Sequence, residues 1–193
     1  MRAPDSERPY HHGHLAPSLR ESARAILEEQ GMDALSLRSV ARRAGVSHAA
    51  PYRHYVSREA LLADVACEGV ANLRAELAQA GAPSAEKSER VVRLATAYLR
   101  FAFRHPGLIR LMFGAEFRNR MKYGALADAT AQLINDIGRI IADPAAGLAA
   151  FAAMHGLAIL MLDNVIDLGQ HQAGWDVLPS RAAILLRTLL ESA

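Results

Sequence analysis

The chain is nearly without cysteine. Cys67 is the only one in 193 residues, so no disulfide framework can form within it, and a reducing cytosol is the compartment that fits best. No secretory leader is expected, because Met1 to Arg8 is polar and Pro4 and Pro9 stand where an apolar run would be needed. Only Ala145 to Leu162 invites reading as a membrane span, with His155 its one residue that is neither apolar nor glycine. That stretch falls short of the roughly 20 residues a span needs, is rich in Ala rather than Leu, and lies between Pro144 and Asp163. The expectation is a helix buried on all sides within protein, with no membrane partner. Nowhere do apolar and polar residues alternate as in a half-buried strand.

Catalytic signatures are absent as well. There is no Gly-rich phosphate loop, no HExxH, no GxSxG and no pair of carboxylates in an apolar setting, so neither catalytic residues nor a cofactor nor a metal are expected. His155 with Asp163 or Asp167 is the acid-base pair to consider, but separations of eight and twelve residues put at most loosely related helix faces together.

What is present is apolar residue, 51% of the chain and ample for a core, and a net charge of +2 that is unevenly placed. Residues 1 to 60 carry nine Arg against seven acids, while residues 61 to 193 carry thirteen Lys or Arg against thirteen acids. From Ser36 to Arg58 there are five arginines (Arg38, Arg42, Arg43, Arg53 and Arg58) and two histidines (His48 and His54) but no Asp or Glu. Such a segment attracts a polyanion, or is simply a solvated basic face.

Apolar residues recur at spacings of three and four throughout, which predicts an all-α fold. Leu15, Leu19, Ala23, Ile26 and Leu27 stripe a first helix that Gly31 can end through a left-handed residue. Ser36 can cap a second, with Leu37, Val40, Ala41 and Ala44 inward and Arg38, Arg42 and Arg43 off that face. Gly45, Val46 and Ser47 then make a tight joint, and Ser47 can cap a short third helix running from His48 to Tyr55. Ser57 can cap a long helix carrying Leu61, Leu62, Val65, Ala66, Val70, Leu73 and Leu77, which is broken at Gly81 to Ser84. Helices are predicted further at about 86–104, 108–113, 117–142, 145–162 and 180–190. This organisation divides the chain into a DNA-binding domain over 1–57, with a flexible arm over about 1–13, and a body over 58–193.

Two helices separated by three residues have the spacing of a helix-turn-helix, whose second helix enters the major groove of DNA. Arg38, Arg42, Ser47, His48, Ala49, Tyr52, Arg53, His54 and Arg58 are the candidate DNA contacts. Arg53 can donate to guanine or phosphate, and Tyr52 and Tyr55 can reach phosphates or bury their rings. Arg58 can join the helix N-terminal amides in holding a phosphate. Pro51 disturbs this picture by removing an amide and pushing Ala50 away from helical angles.

The run LSLRSVARRAGVSHAAPYRHYVSREALLADVA resembles the N-terminal domain of TetR/AcrR-family regulators. In that family the tyrosine and the basic residue opening the fourth helix touch phosphates, a pattern matched by Tyr52 and Arg58. Arg58 stands where Lys is commoner, and Ala-Pro precedes Tyr52 where Thr and an apolar residue are usual. PYHHGHLAPSL and AAFAAMHGLAILML are similar to a TetR subfamily whose ligand-binding domain is named for a Trp, a His and a Gly, with Phe151 in the Trp position and His155 and Gly156 matching.

The resemblance implies a homodimeric, ligand-responsive repressor of double-stranded operator DNA. A four-helix interface would draw on Leu148, Ala152, Gly156, Ile159, Leu162 and Ile166, with Ile184, Leu185, Thr188 and Leu189; all can equally be intrachain core. A cavity for a small apolar effector is expected among Tyr98, Phe101, Phe117, Met121, Phe151, Met154, His155 and Met161, with His155 as polar anchor. Other readings are a helical adaptor that binds only protein and metal capture by His11, His12 and His14. Cys67 as a redox sensor is disfavoured by Asp64 and Glu68, which would raise its pKa.

Overall fold

The computed structural model describes residues 15–81, 86–117, 119 and 122–166. Among the described residues there are seven α-helices and no strand: α1 (Leu15–Gln30), α2 (Leu37–Arg43), α3 (Arg58–Ala80), α4 (Lys87–Arg104), α5 (Pro106–Phe113), α6 (Gly124–Ile140) and α7 (Gly147–Leu162). The all-α expectation holds. The N-terminal arm, including His11, His12 and His14, and the helix expected at 180–190 with its four interface residues lie outside the described residues, as does Met121.

The chain divides between Leu62 and Ala63 into two compact units, five residues beyond the expected boundary and inside α3. In the first, Leu19, Ala23, Ile26 and Leu27 of α1 form a buried stripe at helical spacing, and Val40 and Ala41 of α2 are fully buried. Tyr55, Leu61 and Leu62 complete this core. Gly31 ends α1 with φ +80° and ψ −179°, a glycine conformation but not the left-handed helical one expected.

In the second unit, α4 is strongly amphipathic. Val91, Leu94, Ala95, Tyr98, Leu99, Phe101 and Ala102 are buried, while Arg93, Arg100 and Arg104 face solvent. α4 packs on α5 and α7, and α7 packs on α6. The α6–α7 hairpin is tight because glycines let the backbones touch. A Cβ on Gly147 would sit 2.7 Å from the Ile134 carbonyl oxygen, and one on Gly138 would sit 2.9 Å from Pro144 Cα.

Two helix starts and the burial of one helix differ most from the sequence reading. The helix expected over 117–142 starts only at Gly124, because a 3-10 turn occupies Ala115–Phe117 before it. α5 begins two residues early, with Pro106 in its first turn, where a missing amide costs nothing. α7 is not buried on every side: Ala150, Met154, Ala158 and Met161 face inward, but Leu148 is 60% exposed and Leu160 42%. Among the described residues no helix is long and apolar enough to cross a membrane.

Candidate functional site

The helix-turn-helix is built from local chemistry. The Ser36 hydroxyl accepts from the Ser39 amide at 3.0 Å, and the Ser39 hydroxyl accepts from the Ser36 amide at 2.9 Å, so the start of α2 is capped reciprocally. At its other end Gly45 takes φ +69°, and the Val46 and Gly45 amides donate to the Ala41 and Arg42 carbonyls. This pair of bonds is the Schellman arrangement, which turns the chain sharply and satisfies the last carbonyls of α2.

The element after the turn is not the α-helix expected over His48 to Tyr55. It is a tighter coil with a 3-10 turn at Pro51–Arg53, held by bonds from the Ala50 amide to Ser47, Arg53 to Ala50 and His54 to Pro51. Pro51 supplies the reason, since it has no amide to offer the Ser47 carbonyl, which the Ala50 amide takes instead. Ala50 nevertheless keeps helical angles, φ −62° and ψ −43°, contrary to expectation, and no side chain caps the turn. Ala50, Pro51 and Tyr55 are buried, whereas Ser47, His48, Ala49, Tyr52, Arg53 and His54 are exposed, Tyr52 by 63%.

Arg38 and Arg42, one helical turn apart on α2, are exposed too. Neither these two nor Arg53 makes an ion pair among the described residues. Like charges four apart on a helix repel by a few tenths of a kcal/mol, which a bound anion would reverse. Arg43 differs, because its guanidinium makes two 2.6 Å bonds to Glu29 of α1. That hydrogen-bonded pairing holds the Glu29 carboxyl below its ordinary range. Arg58 is also engaged within the protein. Its Nε donates to the Leu35 carbonyl at 2.8 Å and a terminal nitrogen donates to the Met32 carbonyl at 3.1 Å, so it braces the start of α3 against the α1–α2 turn.

In the body, the fully buried Tyr98 hydroxyl lies 2.9 Å from His155 Nδ1. Phe151 stacks on His155 one helical turn away, their rings 6° from parallel, and Phe113 meets both edge-on at 5.1 Å. Burial pushes the Tyr98 hydroxyl up and the His155 imidazole down from their ordinary values, so both are neutral near pH 7. A groove of about 380 Å³ opens beside this cluster. Ile109, Arg110, Phe113, Gly114 and Ala115 line it from the end of α5, and His155, Ile159 and Asp163 line it from α7.

Of the seven predicted effector residues that are described, only His155 lines this groove. Phe101, Phe117, Met154 and Met161 are buried packing, at most 3% exposed, while Tyr98 and Phe151 stand behind His155. Ile159, expected at a dimer interface, also lines the groove. Sequence reasoning missed Phe113 and the ion pair of Arg110 with Asp163, 2.5 Å apart across the groove wall. It also placed His155 and Asp163 on at most loosely related helix faces, although both line the same groove. The available signal was a charged residue closing each of two apolar helices. A larger cleft of about 720 Å³ holds none of the predicted residues that are described, and its Arg74 is committed to Asp136 and Gln132.

Comparison with known proteins agrees with both halves of this geometry. Residues 19–65 match the description "Bacterial regulatory proteins, tetR family", and residues 91–178 match "Tetracyclin repressor-like, C-terminal domain". A solved structure of a Rhodococcus sp. RHA1 protein of unknown function is 32% identical, covering 94% of this chain and 98% of that one with a TM-score of 0.70. A TetR-family regulatory protein from Rhodococcus RHA1 is 20% identical over 91% and 96%, TM-score 0.69. Bacillus subtilis FadR, solved with stearoyl-CoA, shares the fold at 13% identity over 89% and 97%, TM-score 0.67. No protein of curated function matches. The chain belongs to the TetR/AcrR family and is a ligand-responsive, DNA-binding transcriptional regulator.

Proposed function

We propose that this regulator is a cytoplasmic repressor that binds a palindromic operator as a homodimer and leaves it when a small apolar effector enters the body. DNA binding is assigned to the first unit, effector binding and dimerisation to the second, and no catalytic role to either. The observation that carries the reading is the exposed set Arg38, Arg42, His48, Tyr52, Arg53 and His54, displayed by a helix-turn-helix without a single acid between Ser36 and Arg58. Arg53 and the 48–54 coil read base edges, while Tyr52, Arg38 and Arg42 hold backbone phosphates. Ser47 and Ala49 approach the DNA closely, and Arg58 acts by holding the start of α3.

Dimerisation is supported by α7, whose outward face presents Leu148, Ala152 and Leu160, with nothing within 4 Å of a Cβ placed on Gly156. An apolar face of this kind gains by covering itself, and a second copy brings two reading elements to one side of a duplex, about 34 Å apart. Leu162 and Ile166, half-buried, extend the same end of the helix. Selection of bound sequences from a random duplex pool tests the proposal. An inverted repeat is expected; a single asymmetric site argues against the dimer, and no enrichment argues for a protein-only adaptor.

A further inference from the structure

Hydrogen-bond accounting fixes the protonation pattern of the groove. The Tyr98 hydroxyl is fully buried and has His155 Nδ1 as its one hydrogen-bond partner among the described residues. A buried phenol must place its proton somewhere, and the imidazole lone pair is the acceptor on hand. Tyr98 therefore donates, Nδ1 accepts, and the ring proton of neutral His155 resides on Nε2. Nε2 lies across the ring from Tyr98 and has no partner among the described residues, so the groove-lining His155 keeps a single N–H donor uncommitted.

The other charged groups there are already matched. Arg110 is neutralised by Asp163 at 2.5 Å, and a carboxylate ligand would have to displace Asp163 or lie beside it. The remaining walls, Ile109, Phe113 and Ile159, are apolar. A volume of about 380 Å³ is toward the small end of ligand pockets, roughly 300–1,000 Å³.

We infer that the groove takes a small neutral ligand whose apolar body lies against Phe113 and whose carbonyl oxygen accepts a hydrogen bond from His155 Nε2. The class is ketones, esters and lactones, as opposed to carboxylic acids or plain hydrocarbons. This rests on the reading of the groove as the effector site and deepens it.

Acetophenone, benzoate and ethylbenzene are suitable probes, since they are similar in size and present a carbonyl, a carboxylate and no acceptor. Each is titrated into the full chain with its histidine rings labelled with ¹⁵N. In the free protein Nε2 of His155 should be protonated and Nδ1 bare. Acetophenone should shift Nε2 and bind about tenfold more tightly than either isostere, the worth of one hydrogen bond. His155→Phe should bring acetophenone down to ethylbenzene. Tyr98→Phe, which keeps the ring packing, should weaken acetophenone a few-fold and carries the test if His155→Phe does not fold. A proton on Nδ1 in the free protein, equal binding of all three probes, tightest binding of benzoate, or no binding at all overturns the inference and leaves the groove open to another ligand class. Acetophenone binding that leaves the His155 signals unmoved overturns the groove assignment as well.

Discussion

The two units differ in how many of their arginines they pair. In the body Arg74, Arg93, Arg104, Arg110 and Arg139 each pair with a carboxylate, several of them across helices. In the head Arg43 and Arg24 do the same, but Arg38, Arg42 and Arg53 are left exposed without an ion pair among the described residues. Pairing is the commoner state in the body, where Arg100 is exposed without an ion pair among the described residues, so it is the clustering of three such cations within about fifteen residues that favours an external polyanion as counter-charge. The body's anomaly is the reverse one, an apolar surface where charge would be usual.

Substitution in each unit can break this contrast. Arg53→Ala should weaken operator binding by about ten- to a hundredfold, the 1–3 kcal/mol of a base-directed arginine, and relax preference at one position of the site. Its body counterpart Arg104→Ala, which removes an exposed pair with Glu76, should leave binding unchanged and cost under about 1 kcal/mol of stability. Quantitative mobility shifts and denaturant melts measure both.

Gly147→Ala should destabilise the body by about 1–3 kcal/mol, because the new methyl meets the Ile134 carbonyl and Gly138 backbone rather than a yielding side chain. Operator affinity of the folded protein should survive it. Ala142 sits at φ +56° just after α6, where glycine carries no Cβ penalty. Ala142→Gly should therefore raise stability by about 0.5–1 kcal/mol, read as a higher melting temperature.

The smallest effect is one of pH. Desolvation lowers the folded-state pKa of His155 below its ordinary 6.5, so the unfolded chain takes up the proton first as pH falls. The contribution is complete above about pH 6.5, declines as pH falls from there toward the folded value, and is level below it. Melting temperatures compared between the parent and His155→Phe should differ in slope over that window only.

Much of the head was legible because its signals are local. Ser36, Gly45 and Ser57 act within a few residues of themselves, and the stripe of α1 needs no knowledge of what it packs against. The form of the reading element was not legible, since whether Pro51 bends Ala50 or only redirects its amide depends on burial of both. The bracing bonds of Arg58 were not legible for a similar reason: its carbonyl partners lie 23 and 26 residues away in sequence. The groove between α5 and α7 was harder still. It exists because the end of α5 lies along α7 and joins Arg110 to Asp163, 53 residues apart, and no periodicity reports such a juxtaposition. His155 was found because a lone polar residue in an apolar helix stands out; Phe113 was missed because a phenylalanine ending a short helix does not.

The salt dependence of duplex binding tests the contrast between the two units most directly. The slope of log K against log salt falls by about 0.9 for each phosphate neutralised. Binding by the parent should be steeply salt-dependent, Arg42→Gln should reduce the slope by about one unit, and Arg104→Gln should leave it unaltered. A slope near zero in the parent, or equal slopes for the parent and Arg42→Gln, would contradict the assignment of the exposed arginines to the DNA backbone.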